Sequence, residues 1–70
     1  MMYAKEDLTE ARKQIASTLH KLRETVKTLE SKENPQRYRS QLTLAKRRIA
    51  AFEIAEGLIA AELAKIENAP

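Results

Sequence analysis

The chain has 70 residues, no cysteine, one glycine and two prolines, and a formal net charge of +3. That length admits one small domain, and the lack of thiols excludes a disulfide scaffold or a thiolate metal site. Charged residues make up 33% and aromatics only 4%; with so few chain-breaking residues, this is the usage of long helices and not of a sheet.

The opening run MMYAKEDLTE is acidic and has no apolar segment of the kind a secretion signal carries, so the expected compartment is the cytoplasm. Met1, Met2 and Tyr3 precede the first cap and are expected to fray or to dock over the Leu63 end. Asp7 followed three positions later by Glu10 has the form of a capping box and opens the first helix, with Met2–Glu6 able to extend it backward. The expected span is about residues 5–32. Leu8, Ile15, Leu22 and Leu29 recur every seven residues, with Leu19 and Val26 between them. This is the alternating spacing of a coiled-coil seam. Arg12 interrupts it, and beside it Ala4, Ala11, Thr18 and Thr25 form a strip of small residues that lets another helix approach closely.

The segment Ser31, Lys32, Glu33, Asn34, Pro35 is the interior turn. Asn34 is expected as an N-cap and Pro35 as the first helical residue, where its missing N–H has no intrahelical partner to lose. The second helix then runs from Pro35 to about Glu67, and Ala69 and Pro70 end it. Its seam is Tyr38, Leu42, Ala45, Ile49, Phe52, Ile59, Leu63 and Ile66, interrupted once, by Glu56. A turn this short forces the two helices antiparallel. Folding at Glu33 and Asn34 pairs positions whose numbers sum to 67 or 68, which sets Arg12 opposite Glu56. The pair is expected to fix the register, because either charge buried alone in a slipped seam would cost several kcal/mol.

From Ile49 to Ile66 the second helix carries more apolar surface than one partner can cover. Beside the seam runs a second stripe, Leu44, Ala51, Ala55 and Leu58, bounded by Arg48 and Glu62, with Ile54 on a third side. A helix apolar on several sides is enclosed by neighbours. Laid antiparallel on a second copy about Ala55, it sets Ala51 against Leu58 and Arg48 against Glu62 of the partner subunit, the isologous contact of a two-fold dimer. Glu53, Glu56 and Glu62 break the run, so it falls short of the roughly 18 uncharged residues of a membrane span. The expected fold is all-α: one domain over 1–70, a long antiparallel two-helix hairpin, coiled-coil-like, self-associating into a four-helix bundle.

Charge is unevenly placed along the second half. Asn34 to Phe52 holds Arg37, Arg39, Lys46, Arg47 and Arg48 and no acid, whereas Glu53 onward holds four acids against Lys65. The cations have the pattern of a phosphate-binding face, with Arg37, Arg39, Lys46 and Arg47 as the contacts; the plainer reading is a solvated end with Arg48 used in the dimer. The acids Glu53, Glu56 and Glu62 with the single His20 lack the Glu-x-x-His pair of carboxylate-bridged bundles, so neither a metal nor a cofactor is expected. A filled seam offers no pocket for acid–base work and there is no phosphate-binding glycine loop, so no catalytic residue is assigned. Gly57 stands alone in a helix at a cost of about 1 kcal/mol against Ala, and with Ala50, Ala61 and Ala64 it is read as a place of close helix approach. The leading expectation is a non-enzymatic, self-associating structural or adaptor module for protein–protein interaction. Its partner is itself, as a homodimer or higher assembly, or another helical protein; nucleic acid is the alternative partner and a membrane is not expected.

Overall fold

The computed structural model describes residues 3–68, without the side chain of Pro35. Met1 and Met2, and the helix end expected at Ala69 and Pro70, lie outside the described residues. The chain forms helix α1 (Lys5–Glu30), a 3-10 turn (Pro35–Tyr38) and helix α2 (Arg39–Glu67), and the two helices pack against each other as a hairpin. Among the described residues there is no strand.

The ends of the helices are built differently from the sequence expectation. α1 is capped by Ala4 in an extended conformation (φ −69°, ψ 150°) with no side-chain capping bond, and the Leu8 amide donates to the Ala4 carbonyl at 3.1 Å. Asp7 therefore lies inside the first turn with Glu6, where both carboxylates meet the positive end of the helix dipole. At the other end, the Ser31 amide donates to the Lys27 carbonyl (3.1 Å) and the Ser31 hydroxyl to the Thr28 carbonyl (2.8 Å), so orphan carbonyls are satisfied without a left-handed residue. No described residue has a positive φ. Asn34 (φ −124°, ψ 77°) makes no side-chain capping bond. It precedes a proline, which disfavours the helical region for it, and the chain enters α2 through a 3-10 turn in which the Arg37 amide donates to the Asn34 carbonyl at 3.1 Å.

The seam consists of Leu8, Leu19, Ala45 and Leu63, all buried, among half-buried Ile15, Leu22, Val26, Leu29, Tyr38, Leu42, Ile49, Phe52, Ile59 and Ile66. Among the described residues only Leu19, at 1% exposure, is fully enclosed. Where the heptad breaks, Ala11 turns inward and Arg12 stays exposed.

The result is a rod of 56 × 16 × 15 Å with a radius of gyration of 15.9 Å, against about 11 Å for a compact domain of this length. It exposes 5781 Å², where a compact monomer of the same mass would expose about 4450 Å². Among the described residues, no helix is long and apolar enough to cross a membrane.

Candidate functional site

The two flanks of the hairpin are chemically unlike. At about 100° per residue, Lys5, Arg23 and Glu30 fall on one side of the α1 seam. The matching side of α2 carries Lys46, Glu53 and Glu67. Three ion pairs join them: Lys5 Nζ to Glu67 Oε1 at 3.9 Å, Arg23 Nη2 to Glu53 Oε2 at 3.5 Å, and Lys46 Nζ to Glu30 Oε2 at 3.4 Å. All six side chains are more than half exposed, so each pair contributes at most about 1 kcal/mol. Their effect is to occupy that flank with charge.

The opposite flank carries the small residues Ala4, Ala11, Thr18 and Thr25 of α1 beside Leu44, Ala51, Ala55 and Leu58 of α2. Two open, shallow grooves run along it. One, near the chain ends, is lined by Tyr3, Asp7, Leu8, Ala11 and Ile59. The other, near the turn, is lined by Leu22, Thr25, Leu29, Leu44, Ala45 and Arg48. Leu44 is 47% exposed and Leu58 66% exposed, Ala51 is exposed and Ala55 half-buried. The Thr25 hydroxyl already donates to the Lys21 carbonyl at 2.9 Å, so what it offers a neighbour is its methyl group. Arg48 and Glu62, expected to bound the stripe, are both exposed; Glu62 is held only by Lys65 one turn along, at 3.4 Å.

Arg12 and Glu56 are not brought together. The cross-helix ion pairs join residues whose numbers sum to 72 (Lys5 and Glu67) or 76 (Arg23 with Glu53, Lys46 with Glu30). Such sums place Arg12 across from Ala60 or Ala64 and Glu56 across from Ala16 or His20. Arg12 is exposed and Glu56 half-buried, and no ion pair among the described residues includes either. Two effects move the register away from 67–68. The reversal consumes Ser31–Tyr38, and every helical side chain leans toward its own N-terminus, so that contacting residues lie beyond those at equal height.

Near the turn, Lys46 is tied to Glu30, while Arg37, Arg39 and Arg47 are exposed and enter no ion pair among the described residues. The Arg37 guanidinium lies 6.0 Å from the centre of the Tyr38 ring. His20 is exposed, and the described residues gather no group of three or more metal-ligating side chains. Gly57 is exposed, and a methyl group placed on it would meet nothing within 4 Å. The close approach expected there is therefore not made by α1.

Architecture and surface together define an all-helical antiparallel hairpin with one charged and one apolar flank. No family model, curated protein or solved structure significantly matches the chain.

Proposed function

We propose that this chain is a non-enzymatic, self-associating helical hairpin that serves as a structural or adaptor module, pairing through its apolar flank into an antiparallel four-helix bundle. The observation that carries this reading is the asymmetry of the flanks. Charge pairs close one side of the seam, while the other exposes Leu44 and Leu58 beside a strip of small α1 residues. The surface exposed beyond that of a compact monomer is about 1300 Å² per chain, more than the roughly 800 Å² that a standard interface removes from each partner and within the range of obligate ones. In α2, the second stripe lies roughly a quarter turn from the hairpin seam, which is the angle between neighbouring contacts of one helix in a four-helix bundle.

Charge favours a second copy as the occupant. An antiparallel α2 pair centred on Ala55 joins Arg48 to Glu62 of the partner subunit at both ends, around a centre of Ala51, Ala55 and Leu58. Sedimentation of the wild-type chain should give at least a dimer. Leu58→Arg places an unpaired cation against Ala51 of the partner subunit and should shift the protein to monomeric, unfolded or aggregated material. Arg48→Glu should weaken association, and Arg48→Glu combined with Glu62→Arg should restore it. A folded wild-type monomer of 8.0 kDa at all concentrations would rule the assembly out.

A further inference from the structure

We infer that the turn-proximal outer face of α2, together with Arg37 of the preceding 3-10 turn, binds the phosphate backbone of double-stranded nucleic acid without reading its sequence. Arg39, Thr43, Lys46 and Arg47 are spaced i, i+4, i+7 and i+8 and are all exposed, so their side chains share one side of the helix. From Arg39 to Arg47 that row rises about 12 Å, the axial length of three to four phosphates of one duplex strand at about 3.4 Å each. Arg39 and Lys46 lie clear of both the hairpin seam and the Leu44–Leu58 stripe, whereas Arg47, three residues from Leu44 and four from Ala51, borders the stripe; Arg37, Arg39 and Lys46 therefore remain available in a dimer.

Of Arg37, Arg39, Lys46 and Arg47, the fold engages only Lys46 in an ion pair among the described residues. Among the described residues, ion pairs use Arg23, Lys27 and Lys46 at this end, and none uses Arg37, Arg39 or Arg47. Arg37, Arg39 and Arg47 carry planar forks that pair with phosphate oxygens two at a time. Arg37 and Lys32 line a groove at the tip with Glu33, Asn34 and Tyr38. Tyr38 is half-buried with the Arg37 guanidinium over its ring at 6.0 Å. Its ring face is thus occupied, and no other aromatic stands at this end to stack on unpaired bases, which favours a duplex over a single strand. Glu33 is the one carboxylate in that groove and opposes the ligand.

The test is fluorescence anisotropy of the full chain with a labelled duplex of mixed sequence. Four engaged cations predict a slope of log K against log salt near −3.6, hence roughly a hundredfold loss between about 50 and 200 mM salt. Arg39→Gln with Arg47→Gln should reduce the slope by about 2, whereas Lys5→Gln with Lys65→Gln, which removes the same charge from the other end, should leave it unchanged. Glu33→Gln should tighten binding, and a scrambled duplex should bind equally. The proposal fails if micromolar protein does not bind at the lowest salt, if the Lys5 and Lys65 variant loses as much as the arginine variant, or if a single strand of equal length binds more tightly.

Discussion

At the scale of single residues, Gly57 is where the sequence expectation and the structure diverge most usefully. A helical glycine costs about 1 kcal/mol relative to alanine, and a chain keeps one where a side chain would collide. Within the hairpin nothing would collide, and the φ of Gly57 is not positive. Its neighbours on the outer side of α2, Ala50 and Ala61, leave the surface equally open, although Ala60 beside them is half-buried. Gly57→Ala should therefore raise the thermal midpoint by roughly 4–8 °C, the equivalent of about 1 kcal/mol in a domain of this size. Circular dichroism measures it directly. A fall in the midpoint would place another helix against Gly57.

At the scale of the elements, the reversal is the part that local sequence rules describe least well. Asn34 followed by Pro35 reads as an N-cap and a first helical residue, yet the Asn34 side chain makes no capping bond and the α-helix begins at Arg39. Removal of a working N-cap costs about 1 kcal/mol. Asn34→Ala should instead change stability by no more than a few tenths of a kcal/mol, as measured by denaturant unfolding. The seam itself was legible: Leu8, Leu19, Ala45 and Leu63 were all placed in it by spacing alone and all are buried. Its defects were not. Removing Arg12 from the α1 seam requires only that the helix turn Ala11 inward, a rotation of a fraction of a residue that a seven-residue pattern does not resolve.

At the scale of the whole molecule, the decisive quantity is how little a two-helix rod encloses. Among the described residues only four hydrophobic side chains are buried, while Tyr3, Leu44, Ile54 and Leu58 are large and exposed. Ordering the backbone costs about 1–2 kcal/mol per residue, so in the proposed assembly a chain with so few enclosed side chains would gain much of its stability on association. If folding and assembly are linked in this way, the melting midpoint should rise with protein concentration. A midpoint that is the same over a hundredfold dilution would mean that the hairpin stands alone. Ile54 lies outside both the seam and the dimer stripe, so it should remain accessible to solvent in the assembled state.

The sequence by itself determined that there are two helices, where the chain reverses, and which of the large apolar residues in the heptad rows of each helix face the other. Those are properties of short-range periodicity and of proline, which act within a few residues. Tertiary structure alone decided the register, the division into a charged and an apolar flank, and which cations the ion pairs consume. Arg23 meets Glu53 and Lys46 meets Glu30 because of how far one helix is displaced along the other and how each is rotated about its axis. Both quantities are set by the three-dimensional path of Ser31–Tyr38 and by the lean of every side chain, and neither is a function of spacing along one helix.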